Sequence, residues 1–338
     1  MAVMKDVAKL AGVSLSTVSF VLNGTAKEHK VADSTAQKVL HAAKQLGYRI
    51  NSSVSDIDTV RTWQTTVAFF APVNSAWMDM SVIYAAINKH IKQIGRSYNV
   101  LLCPYEMGNL IDKINGLQPA AYDSAVISIE NEDDLKNLQN YSARPPFVLY
   151  NYFSPKHPSV LCLADEAITQ AVKMIVAKGY SRLLILSGSD NRKHGDEYLN
   201  VFIKTCEAAG IRLSQSNFIV TENSMLGGAI AARNILNMET KPEIILCMNT
   251  SLAFGAIPLL ARNNFLIPRN AELLCFGSSG DSEHIANYIP SLSMIARPID
   301  EITIKTFDIA LQLADGKDSA AMRYNFSCDL LLHNSFTL

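Results

Sequence analysis

The chain has 338 residues, 49% of them apolar and 18% charged, with a formal net charge of −1. That is too long for one comfortable domain and apolar enough for a large core, so two or three soluble units are expected. No apolar run approaches a membrane span and the opening MAVMKDVAKL lacks a secretory core, which points to a cytoplasmic protein with no membrane partner.

Residues 4–24, MKDVAKLAGVSLSTVSFVLNG, carry two short apolar-periodic runs on either side of Gly12. Val7, Leu10 and Ala11 fall at i, i+3, i+4, one helical face. Gly12 suits the positive φ of a helix C-cap. Ser14 can cap a second helix, with Val18, Val21 and Leu22 as its buried face. Ser16, Phe20 and Asn23 lie opposite, and Leu15 projects from the first turn. Ser14, Thr17 and Ser19 add short hydroxyls that suit phosphate oxygens. The pattern describes either a groove-entering helix-turn-helix or a plain helical hairpin in a larger core.

Charge is distributed in a telling way. Residues 1–50 hold seven Lys/Arg against Asp6, Glu28 and Asp33, a balance of +4 that leaves −5 for the rest. A basic head on an acidic body confines phosphate attraction to one end. Asp33 or Ser34 can cap a third helix reaching to about Leu46, with Val39, Leu40, Ala43 and Leu46 facing the first two. Residues 49–65 are polar and poor in core formers, as a linker is.

From Thr66 the texture changes. Short apolar runs (TTVAFFAP, YNVLLCPY, SAVISI, PFVLYNY, SVLCLA, RLLILSG, EIILCM, AELLCFG) alternate with helical stretches at 78–95, 168–177, 198–209 and 251–263. Such alternation specifies parallel sheets wound on both sides, and about 270 residues suit two lobes. Ligands in this architecture sit outside the carboxyl ends of the strands. The six cysteines lack metal-type spacing, and Cys162, Cys247 and Cys275 read as buried thiols. No G-x-S-x-G, H-E-x-x-H or phosphate-cradling loop occurs, so neither an enzyme nor a cofactor is expected. His29, His41 and His90 occur singly and read as solvated.

The stretch VAKLAGVSLSTVSFVLNG resembles the head of the LacI/GalR (lactose-repressor) family of bacterial transcription regulators, whose wording is close to DVAxxAGVSxxTVSxVLN. Asp6, Val7, Ala8, Ala11, Gly12, Val13, Ser14, Thr17, Val18, Ser19, Val21, Leu22 and Asn23 fit it. KGYSRLLILSG, TSLAFGAIPLLARNNFLIPRNAELLCFG and IPSLSMIARP resemble further family segments, so the likeness spans nearly the whole chain. It implies an all-α helix-turn-helix headpiece (1–48), a hinge (49–65) and a periplasmic-binding-protein-like α/β body (66–338). The body would be two doubly wound parallel-sheet lobes, with crossings near 162, 290 and 322. Lobe 1 is then about 66–161 and 291–321, and lobe 2 about 162–290 and 322–338. The resemblance further implies a homodimeric repressor on a near-palindromic double-stranded DNA operator, modulated by a small-molecule effector between the lobes. A solute-binding receptor shares such a body, but the headpiece argues against that function.

The chain departs from the family at telling positions. Phe20 stands where a base-reading arginine is common; it cannot make the bidentate contact to guanine but can touch a thymine methyl. With Leu15 also apolar, an A·T-richer half-site is expected. In the hinge, Ile57 takes the position of a minor-groove leucine wedge. Asp56 and Asp58 flank it, so either they point away from DNA or the hinge contributes less. In the body, the family's sugar-holding arginine aligns with Tyr198, and its two aspartates with Thr250 and Gly277. With those charges gone, the expected effector is not a typical sugar. Candidate contacts are Trp77, Asp165, Arg192, Tyr198, Asn249, Thr250 and Ser278, a set suited to stacking and neutral hydrogen bonds. The alternative is a degenerate cleft, with regulation by a protein partner.

Overall fold

A computed structural model describes residues 3–22, 26, 29–46, 64–73, 77–118, 121–129, 132–139, 145–188, 195–317 and 322–337. The hinge expectation, with Ile57, Asp56 and Asp58, lies outside these residues, as do Asn23 and Arg192. The chain divides into an N-terminal unit and a large unit beginning at Thr66.

The N-terminal unit holds α1 (Met4–Ala11), α2 (Leu15–Leu22) and α3 (Asp33–Gln45). Gly12 ends α1 with φ 68°, the left-handed conformation that glycine adopts without a Cβ penalty. Ser14 opens α2, its Oγ accepting from Thr17 N at 3.1 Å. Asp33 sits in the first turn of α3 rather than capping it, because Thr35 and Ala36 already bond the Ala32 carbonyl. Val7, Ala8, Val18, Val21, Leu22, Val39, Ala42 and Ala43 form the shared core. Leu10, expected on that face, is 50% exposed, and Leu40 is exposed too. The buried stripe of α1 runs through Val7 and Ala8, and that of α3 through Val39, Ala42 and Ala43. Small residues on these faces let three short helices approach closely.

The large unit follows in chain order: β1 (Thr66–Pro72), α4 (Trp77–Ile94), β2 (Asn99–Tyr105), α5 (Leu110–Asn115), β3 (Ser124–Ser128), α6 (Glu132–Gln139), β4 (Phe147–Tyr150) and β5 (Ser159–Leu163). Then come α7 (Asp165–Ala177), β6 (Leu183–Gly188), α8 (Gly195–Ala208), β7 (Phe218–Thr221), α9 (Met225–Asn237), β8 (Ile244–Cys247), α10 (Thr250–Arg262), β9 (Glu272–Ser278), α11 (Ser282–Asn287) and β10 (Ser293–Arg297). The chain ends with α12 (Ile299–Ala314), β11 (Arg323–Ser327) and β12 (Asp329–Leu331).

The strands make two six-stranded sheets, ordered β11-β5-β4-β3-β1-β2 and β12-β10-β9-β8-β6-β7. The pairs β1–β3, β3–β4, β4–β5 and β5–β11 of the first sheet and β6–β7, β6–β8, β8–β9 and β9–β10 of the second are parallel, and the edge strand β12 runs antiparallel to β10. Buried on both faces, β8 and the LLCF centre of β9 read as unbroken apolar runs, which is why they are legible in the sequence. The helix α12, not expected from the sequence, packs on β3, β4, β5 and α4 of the first lobe. Its EITIKTF start is rich in β-branched residues, which weakens the local helical signal.

The lobe boundaries differ from expectation. The strand β10 pairs with β9 over five residues, so the chain returns to the first lobe at Pro298, not near 290. The last crossing falls at Cys328, between β11 and β12, not near 322, because β11 pairs with β5 in the first sheet. Pro290 reads as a boundary but lies in the loop before β10.

In the second lobe α9 and α10 approach backbone to backbone. A Cβ on Gly228 would collide with the Leu252 carbonyl, and one on Gly255 with the Met225 carbonyl.

Candidate nucleic-acid interface and lobe junction

The outer face of α2 is built from its first turn. Ser14 Oγ lies 2.8 Å from both Ser16 Oγ and Thr17 Oγ1, so three hydroxyls form one connected cluster. Ser14, Leu15 and Ser16 are exposed, while Thr17, Ser19 and Phe20 are half-buried. Val18 is fully buried on the opposite side. The ring of Phe20 stacks on that of His29, centroids 3.7 Å apart. Lys5, Lys9, Lys30 and Lys38 are exposed on the same unit. Hydroxyls and free backbone N–H groups at a helix start are suited to phosphate oxygens.

The remaining candidates belong to the junction of the two lobes. Trp77 begins α4, its side chain outside the described residues. Asp165 is the first residue of α7, just past the first crossing, and is exposed. Tyr198 is on α8, and its hydroxyl donates to the Cys162 carbonyl of the first lobe at 3.3 Å. Its ring stacks on Phe276 at 5.9 Å. Burial pushes the Tyr198 hydroxyl well above its ordinary range, with Arg297 pulling in the opposite direction. Asn249 caps α10 by accepting from Leu252 N, and its Nδ2 donates to Asn223.

Thr250 and Ser278 meet at a residue that sequence reasoning missed. Asp281 is 5% exposed, on the 3₁₀ turn Ser279–Asp281 after β9. Its Oδ2 accepts from Ser278 N at 3.0 Å, Ser278 Oγ at 3.2 Å and Thr250 Oγ1 at 3.3 Å. The same Oδ2 lies 3.1 Å from where a Cβ on Gly277 would stand. The two aspartate positions of the family pattern are thus uncharged in sequence, yet a carboxylate occupies the space beside them. The family's own anchor positions stay uncharged, and Asp281 is an additional carboxylate beside them. The signal was a carboxylate four residues past Gly277, which only the turn brings back.

That turn also docks on the other lobe. Ser279 Oγ donates to Asp300 Oδ1 of α12 at 2.7 Å, and Gly280 lies against Val82 of α4 so closely that a Cβ would clash. Arg297, also missed, donates from Nε to the Gly277 carbonyl at 3.3 Å. Asn151 has φ 52° and accepts from Cys162 N at 2.9 Å. His90, expected to be solvated, is buried on α4.

Comparison with known proteins agrees with this layout. Residues 3–51 match the family described as "Bacterial regulatory proteins, lacI family", and residues 62–298 match "Periplasmic binding proteins and sugar binding domain of LacI family". The chain is 25% identical over 333 residues to the HTH-type transcriptional repressor PurR of Vibrio atlanticus, covering 94% of this chain and 93% of that one. Among solved structures, a LacI family transcription regulator from Clostridium acetobutylicum superposes with TM-score 0.74 at 25% identity, covering 80% of this chain and all of that one. The lac repressor dimer bound to operator and an anti-inducer shares the fold, with TM-score 0.71 at 20% identity, covering 100% and 99%.

Proposed function

Because the chain belongs to the LacI family of bacterial regulatory proteins, we propose that it is a cytoplasmic transcription repressor that binds a near-palindromic operator as a homodimer. The observation that carries this reading is the outer face of α2. Its hydroxyl cluster and Leu15 face away from a fully buried Val18. In this reading Ser14, Ser16, Thr17 and Ser19 hold phosphates and position the helix. Leu15 and Phe20 contact base edges, with thymine methyls as their natural partners. Asn23 and Ile57, the further expected DNA contacts, lie outside the described residues.

The proposed subunit contact in the second lobe uses exposed Val220, Met225, Leu226 and Ile230 on β7 and α9. The proposed effector is a small molecule other than a typical sugar, held at the lobe junction by Tyr198, Asn249, Thr250 and Ser278, with Asp165 nearby; the further candidates Arg192 and the Trp77 side chain lie outside the described residues. Asp281 adds a carboxylate whose Oδ1 takes none of the three bonds above. An effector need only favour one lobe arrangement over another to change the separation of the heads.

The test is selection of duplex DNA from a random pool by the full-length protein, followed by gel shifts at rising salt. A two-fold related, A·T-rich motif whose affinity falls steeply with salt is expected. Recovery of no motif, or binding indifferent to salt, overturns the reading.

A further inference from the structure

Two of the three lobe crossings carry a cysteine, and the two sulfurs touch. Cys162 is the penultimate residue of β5, and Cys328 is the single residue between β11 and β12. Their Sγ atoms lie 3.4 Å apart, and Cys328 N donates to the Leu163 carbonyl at 2.8 Å. Both residues are nearly buried, at 7% and 5% exposure. The third crossing is represented as well, since the charge of Arg297 acts on both sulfurs. The two thiols are not alike. The hydrogen bond between the two sulfurs, in which either can donate, outweighs burial at Cys162, and Arg297 adds to it, drawing the Cys162 thiol below its ordinary range. The same hydrogen bond, with burial, pushes Cys328 up. With Cys162 reacting first, Cys328 stands 3.4 Å away as the resolving sulfur.

We propose that Cys162 and Cys328 form a reversible disulfide, made by a hydroperoxide, that ties two of the lobe crossings together. The Cys162 thiolate attacks the outer oxygen of the hydroperoxide. An S–O bond forms, the O–O bond breaks, and the departing alkoxide or hydroxide takes up the proton that Cys162 had lost. Cys328 sulfur then attacks Cys162 sulfur. The S–S bond forms, the S–O bond breaks, and the hydroxyl leaves as water with the Cys328 proton. Two thiols lose two electrons and the peroxide bond gains them. The sulfurs close from 3.4 Å to about 2.05 Å. A dithiol reverses the bond by exchange.

The other cysteines frame the assignment. Cys103, Cys206, Cys247 and Cys275 are buried away from this pair, and burial pushes each of these thiols up. Cys247 and Cys275 are partners in register on β8 and β9, central strands of the second sheet. They are the internal control.

The test uses the full-length protein and hydrogen peroxide, with alkylation before and after dithiothreitol. The expected result is an intact mass lower by two hydrogens, a mapped Cys162–Cys328 cross-link, and full reversal by dithiothreitol. Cys162→Ser should give no cross-link. Cys328→Ser should leave a sulfenic acid on residue 162 that dimedone traps. Hydrogen exchange at the amides of residues 163–165 and 328–329 should slow about tenfold on oxidation of the wild-type chain. The wild-type mapping stands even if a variant folds poorly. A cross-link between other cysteines, over-oxidation of Cys162 without a bond to Cys328, or a cross-link that leaves exchange at both crossings unchanged overturns the proposal.

Discussion

The imidazole of His29 lies nearly flat on the ring of Phe20, with centroids 3.7 Å apart and planes 14° apart. His29 comes from the segment between α2 and α3, so a residue outside the second helix orients that helix's aromatic side chain. Stacking of this kind contributes about 0.5–1.5 kcal/mol beyond area burial. Replacing His29 with Ala frees Phe20 and should weaken binding to a selected operator by up to about tenfold. The gel shift should show this loss without a change in salt slope, because a phosphate contact is not removed.

Phe20→Arg tests the base-reading assignment directly. A guanidinium can bond guanine in a bidentate way, which a phenyl ring cannot. Selection from a random pool should then favour G·C at one position in each half-site. Identical motifs from both proteins would show that Phe20 does not face the bases.

How much of this site the sequence displays depends on chain distance. Gly12, Ser14 and Val18 lie within seven residues, and the turn, cap and buried face follow from their order. Asp281 is different. Its role depends on a 3₁₀ turn that folds it back to Ser278 and on Thr250, 31 residues away. Nothing in local periodicity reports such a return. The crossing at Pro298 is hidden in the sequence for a related reason. Pro290 is the stronger local breaker, but pairing of β10 with β9 decides which lobe the strand joins. The spacing of Leu10 fits the inner face with Val7, whereas the core shared with α3 takes in Val7 and Ala8.

Ser279→Ala removes the hydrogen bond to Asp300 that links the turn after β9 to α12. A hydrogen bond to a charged group contributes about 1.5–3 kcal/mol. The variant should populate a more open arrangement of the lobes. Small-angle scattering should register a larger radius of gyration for the variant, and equal radii would mean that the bond does not hold the lobes together.

His90 gives a pH dependence of definite sign. Burial on α4 draws its imidazole below the ordinary range, partly offset by Asp308 on α12. Asp308 itself is engaged by Lys305 and Gln312. The unfolded chain takes up the His90 proton near pH 6.5 and the folded chain only at lower pH. Its contribution to stability is therefore complete above pH 6.5 and declines as pH falls beneath that value. Urea denaturation between pH 5 and 7 should show a shallower decline for His90→Gln than for the native chain.

Gly255→Ala introduces a methyl group where the Met225 carbonyl already lies. Overpacking against backbone costs about 1–3 kcal/mol. The denaturation midpoint should fall accordingly, while Gly210→Ala in an exposed turn with open space is limited to the strain of its positive φ.

The close approach of α9 and α10 has a mechanical consequence. Two helices whose main chains touch at Gly228 and Gly255 cannot slide past one another without collision. The second lobe is stiffened along this seam, and in the proposed reading a displacement between the lobes bends the three narrow straps of chain first. Those straps share the junction with the turn after β9, whose Ser279 and Gly280 already rest on the other lobe.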